Sequence, residues 1–498
     1  MLELQSPEQA AQWLRAQGSG ALVADSRRVS AGDGFIAWPG AVNDARAFVA
    51  GAFGQGAQAC LIEREGAEEF QFPDNPHLAC YRGLKQATGP IADAYYEHPS
   101  RQLDVLAVTG TNGKTSSAWW LAQSLGRLPR ARPCGLIGTL GVGTPGHMTL
   151  TGLTTPDPVL LQQTLRRFAD QGFVACAIEA SSIGLAERRL TGTQIRVAVF
   201  TNFTQDHLDY HGSMAAYWQA KRELFDWSDL AAAVVNVDDE RGAELAAELR
   251  NRPELDLWTV SMREPARLSA RALDPGQSGL SFEVAEGAAS HRLQTGLIGQ
   301  YNVSNLLGVL ATLRALDIPL EEAVSACAAL EPVPGRMECI GQNGQPLVAV
   351  DYAHTPDALD QALRALRPLA ERRGGQLWCV FGCGGERDAS KRPLMAAVAE
   401  KTADRVLVTS DNPRGEKPEH IISQILRGFT QPQAAAVQAD RAAAIAQAVA
   451  QADARDVLLI AGKGHEDYQE AAGVRTPFDD RVHARAQLAL RAARGGQP

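Results

Sequence analysis

One short stretch constrains the fold of this chain more than any other. Residues 105–108 are apolar and predict a buried strand. Gly110 and Gly113 follow and allow the backbone to turn tightly, and Lys114 and Thr115 then supply a cation and a hydroxyl group. Apolar residues at helical spacing continue to residue 125. A strand, a glycine loop, a Lys-Thr pair and a helix together indicate a phosphate-binding loop, although Val108 stands where the usual pattern has a glycine. The alternative is an ordinary glycine-rich turn.

Length and composition set the class of protein. A chain of 498 residues predicts about three domains, and 45% hydrophobic with 21% charged residues is typical of a soluble globular protein. No apolar run is long enough for a transmembrane helix, and the acidic N-terminus does not predict a signal peptide. The net charge of −9 without a basic tract argues against nucleic-acid binding. Eight scattered cysteines without a Cys-x-x-Cys pair predict reduced core residues of a cytosolic protein.

Strands and helices alternate along the chain, which predicts an α/β protein with mostly parallel sheets. Helices are predicted from Ser6, at 91–96 and at 357–366. The predicted strands are 35–38, 57–62, 105–108, 175–178, 197–200, 232–236, 348–350, 377–381, 406–408 and 457–460.

Polar residues follow two of the central strands where each strand ends. Glu179 comes directly after the strand at 175–178, and His207 and His211 follow the strand at 197–200. Ligands of open α/β sheets bind at this edge, so Glu179 is a candidate magnesium ligand; a capping or ion-paired glutamate is the alternative. Lys221, judged by its spacing alone, is a solvated helix lysine.

A series of motifs in one order resembles the Mur ligases of peptidoglycan precursor synthesis. The motifs are Thr109-Gly-Thr-Asn-Gly-Lys-Thr115, Glu179-Ala-Ser-Ser182, Asp206-His-Leu-Asp-Tyr-His211, Tyr217-x-x-x-Lys221, Gly299-Gln-Tyr-Asn-Val-Ser-Asn305, Gly335-Arg-Met-Glu338, Asp351-Tyr-Ala-His-Thr-Pro-Asp357, Phe381-Gly-Cys-Gly-Gly385, Asp411-Asn-Pro-Arg414 and Gly462-Lys-Gly-His-Glu466. The resemblance implies three domains. Residues 1–99 would form a small α/β domain that binds the uridine diphosphate end of a substrate, 100–335 a central ATP-binding domain with a parallel sheet, and 336–498 a Rossmann-like domain that brings the amino acid.

The resemblance also implies the catalytic machinery. Lys114, Glu179, His207 and Lys221 would be catalytic, with Lys221 carbamylated. Two Mg²⁺ ions are implied, one held by Thr115 and Glu179 and the other by His207 and the Lys221 carbamate. A lysine cation would repel the metal, whereas a carbamate is an anion with two oxygen donors. ATP is implied as co-substrate, bound by Gly110, Thr111, Asn112, Gly113, Lys114, Thr115, Ser116, Asn302, Arg336 and Asp351, with Asn305 beside Asn302.

Two further residue sets are implied for the other substrates. The sugar–peptide nucleotide would contact Ser26, Ala41, Val42, Asn43, Thr154, Thr155, Ser181, Glu187 and Arg189. The chain departs from the family pattern at Ala45, Leu153, Ile183 and Glu187, and an acid at 187 is unfavourable near an anionic substrate unless it is paired or points away. Meso-diaminopimelate would contact Arg387, Asp411, Asn412, Pro413, Arg414, Gly462 and Glu466. Arg414 favours diaminopimelate over lysine, because an arginine fork can grip the extra distal carboxylate.

The implied activity is ATP-dependent ligation of meso-diaminopimelate to the D-glutamyl γ-carboxylate of UDP-N-acetylmuramoyl-L-alanyl-D-glutamate through an acyl phosphate. The implied protein is a cytoplasmic monomer without nucleic-acid or membrane partners. Three alternatives remain at this point: a lysine-adding or folylpolyglutamate-synthetase-like ligase, a nucleotide-hydrolysing switch or motor, and a non-enzymatic scaffold.

Overall fold

The computed structural model describes residues 1–40, 43–72, 74–276, 279–342 and 344–495. Three sheets with flanking helices follow one another along the chain and are called here the first, second and third sheet. The predicted α/β fold class is confirmed. Each predicted strand is present with its ends shifted by at most two residues.

The first sheet is parallel and has the strand order β1-β5-β4-β3-β2. Its strands are β1 (Leu2–Leu4), β2 (Leu22–Val23), β3 (Gly34–Ala37), β4 (Ala59–Glu63) and β5 (Leu78–Tyr81), and its helices are α1 (Pro7–Ala16), α2 (Val49–Gly54) and α3 (Leu84–Tyr95). Helix α1 begins as predicted, because the Ser6 side chain caps it and accepts from the Gln9 amide. The helix predicted at 91–96 begins earlier, at Leu84, and contains Pro90.

The second sheet has 11 strands in the order β16-β15-β14-β13-β12-β11-β6-β10-β7-β8-β9. Its strands are β6 (Asp104–Thr109), β7 (Cys134–Gly138), β8 (Gly141–Thr144), β9 (His147–Thr149), β10 (Ala175–Glu179), β11 (Val197–Phe200), β12 (Ala232–Asn236), β13 (Asp256–Ser261), β14 (Leu268–Gly276), β15 (Gly279–Glu286) and β16 (Ala289–Thr295). Its helices are α4 (Lys114–Gly126), α5 (Pro158–Asp170), α6 (Ser182–Ala186), α7 (Leu208–His211), α8 (Met214–Arg222), α9 (Glu240–Leu249), α10 (Tyr301–Ala315) and α11 (Leu320–Ala328).

Helices cover both faces of the second sheet, which explains the continuous apolar run in its central strand. Leu106 and Val108 point into one buried cluster, and Val105 and Ala107 point into another. The antiparallel strands β8–β9 and β15–β16 at the two edges of the sheet were not predicted, because their sequences lack continuous apolar runs.

The third sheet has six strands in the order β17-β18-β22-β19-β20-β21, and all of them except β17 run parallel. Its strands are β17 (Glu338–Ile340), β18 (Leu347–Asp351), β19 (Leu377–Phe381), β20 (Arg405–Val408), β21 (Ala436–Val437) and β22 (Val457–Ala461), followed by the separate hairpin β23 (Tyr468–Ala471) and β24 (Val474–Pro477). Its helices are α12 (Pro356–Arg373), α13 (Lys391–Thr402), α14 (Pro418–Leu426), α15 (Arg441–Gln451) and α16 (Asp480–Gly495).

The strand order of the second sheet creates a switch point at β6. The chain leaves β6 toward β7 and β10 on one side and returns to β11 and β12 on the other. The loops after β6, β10 and β11 therefore diverge at the same edge and leave a crevice, where open α/β sheets bind ligands.

Two further findings concern the helices and the cysteines. Within the described ranges, no helix combines the length and the apolar character that crossing a bilayer requires. All eight cysteines are free, as the sequence predicts, and all but Cys339 are buried.

Candidate active site

The loop between β6 and α4 lies in the crevice and is held by the loop after β11. Gly110 and Gly113 have φ angles of 146° and 86°, which favour glycine. The amides of Thr111 and Asn112 donate to the backbone and side-chain oxygens of Asn202 at 2.8 and 2.9 Å. Gly113 precedes α4 and gives it no side-chain cap, so the first amides of the helix remain available for an anion.

Two lysines converge on one carbonyl oxygen of this loop. Lys114 Nζ lies 2.8 Å and Lys221 Nζ 2.7 Å from the Gly110 oxygen. Lys221 is only 1% exposed and its Nζ lies 4.5 Å from the centre of the Tyr217 ring. Burial lowers the pKa of both lysines, and for Lys221 the neighbouring charge of Lys114 lowers the pKa further. Lys221 is therefore not the solvated helix lysine that its spacing alone indicates.

Glu179 stands at the end of β10 and is held by three donors. Its carboxylate accepts from Thr115 Oγ1 at 2.9 Å, from the Thr139 amide at 2.7 Å and from Thr139 Oγ1 at 3.1 Å. Thr115 and Glu179, predicted to share one magnesium ion, thus lie side by side, and both are buried. Thr139 was missed by the sequence analysis, since only the pairing of β7 with β10 brings it to Glu179.

His207 lies beside an aspartate that is shared with the third sheet. Asp206 Oδ2 is 3.5 Å from His207 Nε2 and 3.7 Å from His354 Nε2. Burial opposes ionisation of Asp206, but the hydrogen bond and charge of His354 and the charges of His207 and Lys391 hold its pKa well below the usual range. Burial lowers the pKa of His207 to about 4, against the effect of Asp206, so the imidazole is neutral at pH 7. His354 was not predicted as a site residue, although its motif follows a strand end.

Arg336 enters the crevice from the segment before the third sheet. Its Nη2 donates to Thr115 Oγ1 at 3.1 Å, and its guanidinium carbon lies 4.1 Å from the centre of the Tyr352 ring. Its Nη1 is buried and has no hydrogen-bond partner among the described residues. A buried guanidinium nitrogen without an acceptor, next to a phosphate-binding loop, suits an anionic ligand.

The remaining predicted nucleotide residues have structural partners of their own. Asp351 accepts from the amides of Met337 and Ala353 at 2.6 and 2.8 Å, and burial raises its pKa. Near the start of α10, Asn305 Nδ2 donates to Asn302 Oδ1 at 3.0 Å. The contacts that these residues make with a nucleotide stay a prediction.

A cavity of about 940 Å³ joins these groups. Among its lining residues are Thr111, Asn112, Gly113, Lys114, Thr115, Ser116, Glu179, His207, Lys221, Asn302, Arg336 and Asp351, which is the predicted nucleotide and metal set without Gly110. Thr115 and Glu179 offer hard oxygen donors that fit Mg²⁺. No cluster of three or more histidine, cysteine or acidic side chains with metal-site geometry occurs among the described residues.

A second cluster continues from Glu179 toward the sugar–peptide residues. Thr155 Oγ1 lies 2.7 Å from the Glu179 carbonyl oxygen and 2.9 Å from Ser181 Oγ, and Arg189 Nη1 donates to the Thr155 carbonyl at 2.9 Å. Thr154 Oγ1 lies 3.1 Å from Thr139 Oγ1. Four residues predicted for the sugar–peptide substrate are therefore linked to the predicted metal ligand Glu179 by hydrogen bonds, Thr155 directly and the others through one further residue.

The Glu187 carboxylate is paired with a lysine and a tyrosine, which makes an acid tolerable near an anionic substrate. Lys85 Nζ lies 2.7 Å from Oε2, and the Tyr210 hydroxyl donates to Oε1. The bonds from Lys85 and Tyr210 lower the pKa of Glu187. Since Lys85 belongs to α3, the pair joins the first sheet region to the second.

The predicted uridine-side residues lie after neighbouring strands of the first sheet. Ser26 follows β2, and Asn43 follows β3 and accepts from the Gly40 amide at 2.9 Å. Ala41 and Val42 lie outside the described residues. The ends of β2 and β3 face the same edge, which is compatible with one ligand site.

The predicted amino-acid residues form a separate group at the carboxyl edge of the third sheet. Arg414 Nη1 donates to the Gly385 carbonyl at 2.8 Å, and Asn412 Nδ2 donates to Glu466 Oε2 at 2.8 Å. Gly462 has a φ of 117°, and a Cβ there would lie 2.4 Å from Asp411 Oδ2. The group also contains Pro413, which is buried, and Arg387, which is exposed.

This group does not line the large cavity, but one loop connects the two. Gln205 Nε2 lies 3.3 Å from both Asp388 Oδ2 and Ser390 Oγ. Gln205 directly precedes Asp206, and Asp388 directly follows Arg387. The structure therefore places the amino-acid group next to the second sheet through the loop that carries Arg387.

We expect Gly110→Ala to weaken nucleotide binding at least about 100-fold, because an ångström-scale displacement of the loop misplaces every phosphate donor. A Cβ at residue 110 would lie 1.9 Å from Thr201 Oγ1, at a φ that alanine rarely adopts. Titration calorimetry with a nucleoside triphosphate measures the loss. Gly126→Ala is the matched control, because Gly126 is the last residue of α4 and a Cβ there would meet nothing within 4 Å. Equal affinity of the two variants would contradict the role of the loop.

Comparison with known proteins gives the family. Residues 108–313 match the Mur ligase middle domain, and residues 335–464 match the Mur ligase, glutamate ligase domain. The chain is 62% identical over 489 residues to the UDP-N-acetylmuramoyl-L-alanyl-D-glutamate–2,6-diaminopimelate ligase of Acidovorax sp. (strain JS42), with 97% of each chain covered. It is 48% identical to the protein of the same name from Janthinobacterium sp. (strain Marseille), again over 97% of each chain.

Solved structures agree with these sequence relationships. A structure of a UDP-N-acetylmuramoyl-L-alanyl-D-glutamate–2,6-diaminopimelate ligase superposes with a TM-score of 0.66 at 35% identity, covering 95% of both chains. A MurF ligase from Thermotoga maritima in complex with ADP, at 18% identity and a TM-score of 0.68, shares the fold over 95% of this chain and 99% of that one. Identity of this degree over almost the whole length shows that the chain belongs to the Mur ligase family.

Proposed function

We propose that this protein is the ATP-dependent ligase that joins meso-diaminopimelate to the D-glutamyl γ-carboxylate of UDP-N-acetylmuramoyl-L-alanyl-D-glutamate. One observation carries the proposal beyond the names of the relatives. A hydrogen-bonded path runs from Thr115 at the phosphate-binding loop through Glu179 and Thr139 to Thr154. The next residue, Thr155, contacts Ser181 and Arg189. A ligase needs its acceptor carboxylate beside the γ-phosphate of ATP, and this path links the residues proposed to hold each.

The first chemical step forms an acyl phosphate. The γ-carboxylate attacks the γ-phosphorus, the bond to ADP breaks and ADP leaves. Both reactants are anions, so cations must offset their repulsion. Lys114 and the first residues of α4 line the cavity proposed to hold the triphosphate. Arg336 lines the same cavity, and its Nη1 has no hydrogen-bond partner in the described part of the chain. Arg189 is proposed to hold the peptide carboxyl end, since a guanidinium pairs well with a carboxylate.

Magnesium is proposed as the cofactor, two ions in all, with Thr115 and Glu179 holding one and His207 and a carbamate on Lys221 holding the other. When bound, Mg²⁺ neutralises charge on the triphosphate and on the incoming carboxylate. Thr139 keeps the Glu179 carboxylate oriented toward Thr115. His207 is neutral at pH 7, so its imidazole is free to bind a cation.

The surroundings of Lys221 support the proposed carbamylation. Burial and Lys114 lower its pKa, so the amine is available in its neutral, nucleophilic form. A neutral amine adds carbon dioxide and releases a proton, which gives a carbamate anion. The change turns a neutral amine into an anion, which the neighbouring Lys114 ammonium attracts.

The second step joins the amine to the activated carboxyl group. A neutral amine of diaminopimelate attacks the acyl carbon, and the tetrahedral intermediate expels phosphate. Arg414 and Arg387 are proposed to hold the carboxylates of the amino acid, and Glu466 its other ammonium group. The contact of Gln205 with Asp388 brings this group toward the triphosphate.

The organisation proposed for the chain has three domains, at 1–99, 100–335 and 336–498, which bind the uridine nucleotide, ATP and the amino acid. The boundaries fall between the three sheets. We propose a cytoplasmic monomer. Eight free cysteines support a reducing compartment, and the substrates contributing to the reaction are all small molecules.

The experiment that tests the proposed function measures ADP release by the purified protein. ATP and the dipeptide nucleotide are mixed with either meso-diaminopimelate or lysine. We expect ADP and a tripeptide nucleotide only when all three substrates are present, with diaminopimelate far ahead of lysine. ADP release without the acceptor or the amine would instead support a nucleotide-hydrolysing switch, and equal use of lysine would refute the assigned specificity.

For Arg414→Ala we expect kcat/KM for diaminopimelate to fall about 100-fold, since loss of a buried charge partner costs about 2–5 kcal/mol. The same constant for lysine should change little, because lysine has no distal carboxylate. Steady-state kinetics with both amines give the comparison. Arg427→Ala, at an exposed arginine after α14, is the control and should leave both constants unchanged. An equal loss of kcat/KM for the two amines would argue that Arg414 does not bind the distal carboxylate.

For Lys221→Ala we expect a loss of ligation of about 100- to 1,000-fold, because one electrostatic group at the transferring phosphate is removed. Bicarbonate or short carboxylates should restore part of the activity by supplying the missing anion. NMR of protein equilibrated with isotopically labelled bicarbonate should show a carbamate signal that this variant lacks. Lys401→Ala, at an exposed lysine of α13, is the control. Full activity of Lys221→Ala would exclude the carbamate role.

A further inference from the structure

Lys463 forms a closed triangle of hydrogen bonds with two residues of the proposed amino-acid group. Its Nζ lies 2.9 Å from Asn412 Oδ1 and 2.9 Å from Glu466 Oε2. Asn412 Nδ2 completes the triangle with a bond of 2.8 Å to the same Glu466 oxygen. Lys463 lies within the Gly462–Glu466 motif, but the mechanism above gives it no role.

The burial of Lys463 makes this contact costly to lose. Its side chain is 0% exposed, and that of Glu466 is 15% exposed. Glu466 is the acidic partner within ion-pair distance of Lys463 among the described residues. A buried ammonium is tolerated only when it is paired and hydrogen-bonded, so Lys463 and Glu466 fix each other.

The orientation of Asn412 depends on the same lysine. Asn412 Oδ1 accepts from Lys463 and also from the Glu470 amide at 3.0 Å, where β23 passes over the loop. Because two donors hold Oδ1, the side-chain amide of Asn412 must turn Nδ2 toward Glu466. Lys463 thus holds Glu466 directly and also through Asn412.

The triangle leaves one oxygen of Glu466 for a ligand. Both bonds from protein groups end on Oε2, and Oε1 accepts none from the described residues. The carboxylate is therefore held in one orientation with a single oxygen facing outward.

The chemistry of the substrate identifies what Oε1 binds. The attacking amine of diaminopimelate must be neutral when it reacts, so the carboxylate cannot serve it by keeping it charged. The second, non-reacting amine stays protonated and needs an acceptor. We propose that Lys463 is a positioning residue that aims Glu466 Oε1 at this non-reacting ammonium, an inference that rests on the proposed function.

The test compares two amine substrates in the full-length enzyme. Diaminopimelate carries the second ammonium, and 2-aminopimelate keeps both carboxylates and the reacting amine but lacks it. For Lys463→Met we expect KM for diaminopimelate to rise about 10- to 100-fold, the range for a lost hydrogen bond to a charged group. KM for 2-aminopimelate, and KM for ATP and the dipeptide nucleotide, should stay within about twofold of the unmodified enzyme, since the lost hydrogen bond has no partner in them.

Lys463→Gln keeps a donor in the core without the charge and repeats the comparison if the methionine variant does not fold. Lys401→Met, on the exposed side of α13, controls for the loss of a lysine. An equal rise in KM for both amines, or a parallel rise in KM for ATP, would show a merely structural role and overturn the inference. Equal KM values of the unmodified enzyme for both amines would also overturn it. Failure of the unmodified enzyme to ligate diaminopimelate would instead refute the proposed function.

Discussion

The carbonyl oxygen of Gly110 is the acceptor on which the geometry of the catalytic centre depends. Two lysines from distant parts of the chain donate to it, one from the loop itself and one from the end of α8. Its position requires a φ of 146° and leaves no room for a side chain beside Thr201. Because both amines are drawn into one small volume, burial and mutual repulsion favour a neutral Lys221. The same contact that shapes the phosphate loop therefore prepares the lysine for modification.

A series of short polar contacts leads from the phosphate-binding loop to the proposed peptide site. Thr115 and Thr139 share the Glu179 carboxylate, and Thr139 reaches Thr154 at the proposed peptide site. Thr139 directly follows β7, and Glu179 ends the neighbouring parallel strand β10, so the sheet itself sets the spacing of these two residues. A rigid spacing suits the proposed phosphoryl transfer to a carboxylate, because a small misplacement of the carboxylate slows such a reaction strongly.

The sequence could predict those parts of the site that depend on local pattern. Apolar runs and the glycine and polar residues that end them predict the strand, loop and helix around Gly110. They also predict the position of Glu179 at a strand end, and the structure confirms both. Lys221 could not be found in this way, because its burial results from α8 folding back over the loop after β6. Only the family resemblance singled it out. Thr139 and the edge hairpins of the second sheet lack any local signal, since long-range strand pairing creates them.

The loop from Gln205 to His207 couples the amino-acid group to the nucleotide cavity. Gln205 contacts Asp388 and Ser390, and the next residue, Asp206, lies between His207 and His354. Asp388 directly follows Arg387, while His207 lines the nucleotide cavity. A shift of this loop would therefore move a proposed metal ligand and the edge of the amino-acid group together. The proposed chemistry needs such coupling, because an acyl phosphate formed before the amine is in place would be lost to water.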